Sequence, residues 1–211
     1  MNLEKIRNSI MQEAKVNVVQ YGWNENLLLN ISRHSKYKYE EIKILFPDGY
    51  KEVLQMYLDE INNRMTKESE KINLIRLRVH ERIKEIIILR LRLMSKDKKL
   101  IHKTFLHLLL PTNYKLASKN LYKTVDQIWF IAGDNSHDFN FYSKRAILAS
   151  VYTSIIVHFI NNDSIDDTIL LLSKYLKRVS KIPKIKNKVS DLFNAFPKIL
   201  KFGKNLSSFK Q

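Results

Sequence analysis

Apolar residues return every three or four positions along almost the whole chain, the spacing of helices with one buried face rather than of strands. Over Leu3–Val19 the stripe is Ile6, Ile10, Ala14 and Val18. Gly22 then supplies a helix stop, and Asn24 is placed to cap a second helix with Leu27, Leu28 and Ile31 inward. A linker, His34–Lys38, leads to a short helix over Glu40–Phe46. Pro47-Asp48-Gly49 is a turn by composition, and the helix after it carries Val53, Leu54, Tyr57, Leu58 and Ile61. Further helices are predicted over Lys67–Met94, Lys98–Leu110, Tyr114–Ile131, Phe139–Ile160 and Ile165–Val179. Pro111 closes the second of these, and Ser164 with Asp167 forms a capping pair for the last. The expectation is an all-α bundle. It divides into a helix-turn-helix-like N-terminal subdomain (1–63), a larger helical domain (64–180), and a basic linker with an amphipathic tail (181–211).

That tail changes the picture most. Residues 181–188 contain Pro183 and show no helical face, the pattern of a flexible linker. Over 189–202, Leu192, Phe193, Phe196, Ile199 and Leu200 fall on one side with lysines opposite, and Pro197 predicts a kink. A Phe/Leu/Ile face opposed by lysine has the composition of a helix lying in a membrane interface. The net charge of +16 over 211 residues points the same way, because its distribution is uneven. Eleven Lys or Arg and a single acid, Asp191, lie between Lys174 and the C-terminus. Such a patch suits phosphates, in lipid headgroups or in nucleic acid. The alternative is that the segment folds back on the bundle.

Candidate chemistry is mostly excluded. The chain has no cysteine, which removes disulfides, thiolate metal sites and cysteine nucleophiles. His80-Glu81 does not begin a zinc-binding HExxH, since residue 84 is Lys. Asp134–Asp138 opens like a calcium loop, but Phe139 stands where glycine is needed and Arg145 where the bidentate glutamate is needed. A di-iron Glu-x-x-His pair and a glycine-rich phosphate loop are both missing from the sequence. The reading is a protein with no catalytic residues, no metal site and no cofactor. The N-terminus MNLEKIRNSIMQEAK has no sustained apolar run, and Ile86–Leu89 is stopped by Arg90. The expected location is cytoplasmic, peripheral on the inner face of the cytoplasmic membrane.

The most distinctive stretch is Val125–Arg145, VDQIWFIAGDNSHDFNFYSKR, in which acids and large aromatics alternate across a loop between two helices. With Leu91–Met94, Phe105–Asn113 and Arg145–Tyr152, it closely resembles the ubiquinone-biosynthesis accessory family, coenzyme Q biosynthesis protein nine. The resemblance implies a TetR-like helical fold without enzymatic activity, whose bundle holds an isoprenoid quinone or a phospholipid. It also implies docking of the di-iron demethoxyubiquinone hydroxylase. The matching positions for that partner are Asp126, Ile128, Asp138, Phe141, Tyr142 and Arg145, with Phe141 where the family usually has Trp and Ile128 where it has Met. The loss of the indole N–H removes one donor from that patch. The family also ends in a membrane-binding amphipathic helix, which adds a membrane surface as partner. A homodimer is left open.

For the lipid, the resemblance turns attention to Phe105, Leu106, Leu109, Leu121, Ile128, Ile131, Leu148, Val151 and Ile155. By composition alone these are core residues; as cavity walls they would suit an isoprenoid tail. The competing function is a TetR-type transcriptional regulator with a hydrophobic effector. Against it, the turn His34–Tyr37 has no glycine, and the helix that would read bases opens Tyr39-Glu40-Glu41, placing carboxylates near phosphates. No nucleic-acid partner is expected.

Overall fold

The computed structural model describes residues 3–134 and 139–180. Over these residues the chain is all-α: α1 Leu3–Tyr21, α2 Leu27–His34, α3 Tyr39–Leu45, α4 Tyr50–Ser69, α5 Val79–Ser95, α6 Lys98–Leu108, α7 Tyr114–Ile131, α8 Phe139–Asn161 and α9 Ile165–Ser180. A 3-10 turn, Pro111–Asn113, joins α6 to α7. The linker 181–188 and the amphipathic segment 189–202, with Leu192, Phe193, Phe196, Ile199 and Leu200, lie outside the described residues.

Local chemistry accounts for most boundaries. Gly22 adopts φ 77° and its N–H donates to the Val18 carbonyl at 2.9 Å, the left-handed stop expected of it. Asn24 does not cap α2 directly. Its Oδ1 accepts from the Asn26 N–H at 2.9 Å, a side-chain turn that sets the helix going at Leu27. Gly49, at φ 64°, launches α4 from the Pro47–Gly49 turn. At α9, the Asp167 N–H donates to Ser164 Oγ at 3.1 Å.

The continuous helix expected over Lys67–Met94 is two helices. α4 ends at Ser69, whose hydroxyl donates to the Thr66 carbonyl at 2.6 Å. α5 starts afresh at Val79, where Glu81 reaches back to the Arg78 N–H at 2.8 Å. The intervening segment has no Gly or Pro to announce it. Arg82 holds it, donating to the carbonyls of Leu77 at 2.9 Å, Ile75 at 3.1 Å and, across the fold, Ala132 at 3.1 Å. α4 also runs without interruption past residue 63, where a subdomain boundary was expected.

α4 and α5 form the spine. α4 packs on α1, α5 and α7, while α5 also meets α7 and α9; α8 lies against α7 and α9. The N-terminal helices are tied to this spine and to α6 by specific polar contacts. Arg7 bonds Glu52 at 2.8 Å, and its guanidinium lies 4.4 Å from the Phe46 ring centre. Trp23 Nε1 donates to Thr104 Oγ1 at 3.0 Å inside the core. One hydrophobic core therefore runs from Ile10 and Phe46 to Ile155 and Leu172.

Candidate functional site

The α7–α8 junction is assembled around Arg145. This arginine lies almost two turns into α8 and is 5 % exposed. Its Nε donates to Asp126 Oδ1 at 2.6 Å, and Nη1 reaches Asp134 Oδ2 at 3.3 Å and the Phe141 carbonyl at 3.2 Å. The guanidinium carbon stacks 3.3 Å from the centre of the Phe141 ring. Lys144 adds a second ion pair, to Asp134 Oδ1 at 2.7 Å, with its ammonium 5.6 Å from the Trp129 ring centre. Gly133, at φ 84°, turns the chain out of α7, and the Asp134 N–H donates to the Trp129 carbonyl at 3.0 Å. The two basic residues of α8 thus staple the loop start to α7, holding the surface above them in place.

That surface is aromatic and acidic. Tyr122, Asp126 and Phe130 follow one another at four-residue spacing along α7, so they share a face. Phe130 is 73 % exposed. Tyr142 is 59 % exposed and stands edge-on to Phe141, with ring centres 5.1 Å apart and planes at 77°. Of the residues singled out for a partner, Asp126 and Tyr142 reach this surface and Phe141 is half-buried. Arg145 lies beneath it, Ile128 is fully enclosed in the core, and Asp138 is outside the described residues. Tyr122 and Phe130 were not anticipated. The signal was available, since an aromatic four residues on either side of Asp126 marks one helix face.

The apolar residues expected to line a lipid site separate into two groups. Ile128, Leu148, Val151 and Ile155 are buried core, with Phe105, Leu121 and Ile131 packed at its margin. Leu106 and Leu109 are instead 44 % and 57 % exposed, which corrects the expectation that they face the bundle interior. α6 is amphipathic and buries Leu100, Ile101, Thr104 and Leu108, so positions 106 and 109 turn outward.

At the centre of the bundle is a feature the apolar reading did not foresee. Arg90, 2 % exposed, donates from Nε to Tyr152 Oη at 2.6 Å and from Nη1 to Asn62 Oδ1 at 2.7 Å, with Nη2 3.5 Å from Thr124 Oγ1. Thr124 in turn donates to Asn62 Oδ1 at 3.2 Å. The guanidinium is therefore solvated by neutral side chains from α4, α7 and α8. A cavity of about 10 Å³ bordered by Tyr57, Ile61 and Met94 is only large enough for about one water. A wider groove of about 250 Å³ opens on the surface between α5 and α9, lined by His80, Glu81, Lys84, Ser173, Leu176 and Lys177.

The junction and the helices that frame it coincide with a match to known proteins. The COQ9 family model matches residues 114–183, from the start of α7 through α9. A probable ubiquinone biosynthesis protein coq9, mitochondrial, from Dictyostelium discoideum is 25 % identical over 168 residues, covering 77 % of this chain and 55 % of that protein. The ubiquinone biosynthesis protein COQ9, mitochondrial, of Bos taurus is 27 % identical over 158 residues, covering 72 % of this chain and 49 % of that one. The human protein of the same name is 25 % identical with the same coverage. The chain is thus similar to the COQ9 family, most directly over α7–α9.

The chain spans about half the length of the curated relatives it matches. Its fold is TetR-like: a TetR transcriptional regulator from Nitrosomonas europaea superposes with a TM-score of 0.68 at 19 % identity, over 83 % of this chain and 98 % of that one. The expected location, cytoplasmic and on the inner face of the cytoplasmic membrane, is overturned, because these relatives are mitochondrial proteins by name. The composition of residues 1–15 was a poor guide, since composition reports whether a segment can enter a bilayer and not which compartment holds a protein.

Proposed function

We propose that this chain is a non-enzymatic accessory protein of ubiquinone biosynthesis, which takes up a polyprenyl quinone intermediate and presents it to the demethoxyubiquinone hydroxylase. The observation that carries this is the α7–α8 surface. Its aromatics stand on the residues that match the family, and Arg145 and Lys144 fix them from below. Exposed aromatics rimmed by charge and held rigidly are suited to anchor a protein partner. The quinone's apolar tail would enter among Ile128, Leu148, Val151 and Ile155, the core residues of α7 and α8 nearest that surface in sequence. The tail at 189–202 would hold the protein on the bilayer from which the quinone comes.

Two measurements test this. Native mass spectrometry of the purified chain, before and after organic extraction, is expected to show loss of a bound isoprenoid quinone or phospholipid. An identical mass in both states removes the lipid-carrying role. Separately, Tyr142→Lys is expected to lower cellular quinone hydroxylation severalfold while shifting the melting temperature by only a few degrees, because Tyr142 is exposed. Unchanged hydroxylation would free this surface from any partner role. A sequence-dependent gel shift with the chain's own upstream DNA would instead favour the regulator, although α3 exposes Glu40 and Glu41 at its start.

A further inference from the structure

Leu106 and Leu109, turned away from the bundle, are joined by a further exposed apolar pair at the same corner. Leu110 and Tyr114 are also exposed, so the end of α6, the 3-10 turn and the start of α7 present four large apolar side chains to solvent. Single exposed leucines are ordinary; this many within nine residues form a patch that calls for an occupant. The corner is also built to hold its shape. Buried Asn113 donates from Nδ2 to the His107 carbonyl at 2.8 Å, and its N–H donates to the Leu110 carbonyl at 2.9 Å. The His107 ring packs edge-on to Tyr50 of α4, with centres 5.5 Å apart. Burial, followed by the nearby Lys51, holds the His107 pKa below its ordinary value.

The charge around the corner identifies the occupant. From Lys98 to Val125 the sequence contains six lysines and no Asp or Glu. Lys98 and Lys123 are in ion pairs, with Asp163 at 2.9 Å and Asp59 at 2.7 Å. Lys99, Lys103, Lys115 and Lys119 are exposed, and among the described residues none of them pairs with an acid. Leucines and a tyrosine edged by lysines, on a stretch with no acid of its own, match the interface of an anionic bilayer: the apolar groups enter the acyl boundary and the ammonium groups meet phosphates. A protein partner would favour arginine and mixed charge at its rim. Among the described residues no helix is long and apolar enough to cross a membrane, so contact through this corner would be interfacial.

We infer that the α6–α7 corner, Leu106, Leu109, Leu110 and Tyr114 with its ring of lysines, is a membrane-docking surface of the folded bundle, separate from the C-terminal tail. It would give the bundle a defined orientation on the bilayer, which one anchor at the end of a linker cannot do. The inference does not depend on which lipid the protein carries.

The chain has no cysteine, so Leu110→Cys accepts an environment-sensitive fluorophore at one site of the full-length protein. Vesicles of phosphatidylcholine with phosphatidylglycerol should shift its emission to the blue, and brominated acyl chains should quench it. The same label at Ile75, exposed in the α4–α5 loop, should do neither. Paired Leu109→Asp and Leu110→Asp changes should weaken vesicle binding of the full chain roughly tenfold or more, since each leucine loses its apolar transfer and gains a charge. A label at 110 that stays wet while the protein co-sediments overturns the corner and leaves the tail as sole anchor. Failure to co-sediment overturns both membrane contacts but not the quinone role, which the mass spectrum judges alone. A label shielded before vesicles are added assigns the corner to a second copy or to the chain's own tail, and the inference falls.

Discussion

Arg90→Ala is expected to cause the largest loss of stability of any single substitution considered for this protein. The guanidinium is the shared donor for Tyr152, Asn62 and Thr124, three oxygens drawn from three helices. Removing it takes the guanidinium donor from the Tyr152 and Thr124 oxygens, leaves Asn62 Oδ1 with only the Thr124 hydroxyl, and opens a void where the long side chain lay. Broken buried networks of this kind cost about 3–5 kcal/mol. For a chain of this size that corresponds to roughly 6–20 °C in melting temperature. Arg90→Met is the informative companion. It restores most of the volume beside Met65, whose sulfur already touches Arg90 Nη1 at 3.8 Å, and removes the buried charge. Because desolvating a guanidinium is itself unfavourable, the Met variant should recover at least about half of the loss. Circular dichroism melts of the three proteins decide it. An Ala variant that melts with the wild type would mean the network contributes no net stability.

Arg145→Ala should come second, with an effect of about 2–4 kcal/mol. Asp134 is almost wholly enclosed and would keep Lys144 as partner, whereas Asp126 is partly solvated and loses less. The stacked Phe141 ring would lose its support on one face. Arg145→Lys should not restore the wild-type melt. A single ammonium cannot span two carboxylates, bond the Phe141 carbonyl and lie flat on a ring at once. Limited proteolysis gives the local readout: cleavage should appear at the α7–α8 junction well below the global transition. If both variants melt like wild type and resist cleavage, Arg145 is not the support of the aromatic surface. The contrast with Tyr142→Lys, which should leave the melt nearly unchanged, separates the residue that holds the surface from one that forms it.

Most helix boundaries could be read ahead of the structure because they are set within a few residues. Gly22 and Gly49 need a left-handed backbone, and Ser164 meets the amide three residues on, whatever the rest of the fold does. The break between α4 and α5 escaped for the opposite reason. Residues 70–78 are apolar and basic enough to continue a helix, and what holds them out of one is Arg82, whose third carbonyl partner, Ala132, lies fifty residues away. The chemical character of Val125–Arg145 was legible as rare residue types in a long pattern. Which of those residues face outward was not, and Arg145, read as a contact residue, proved to be the buried prop beneath the contacts.

By itself, then, the sequence determined the helical class, the likeness to the COQ9 family and the aromatic, acidic character of the α7–α8 segment, since these depend on spacing and residue type along the chain. Only the tertiary structure decided that Leu106 and Leu109 point to solvent and that Ile128 faces the core. It alone showed that an arginine interrupting an isoleucine run becomes the polar centre of the bundle. The physical reason is that helical periodicity defines a stripe but not its partner. A side chain one position off the stripe becomes core or surface according to which neighbouring helix arrives. A buried cation is tolerable only where acceptors from distant segments converge on it.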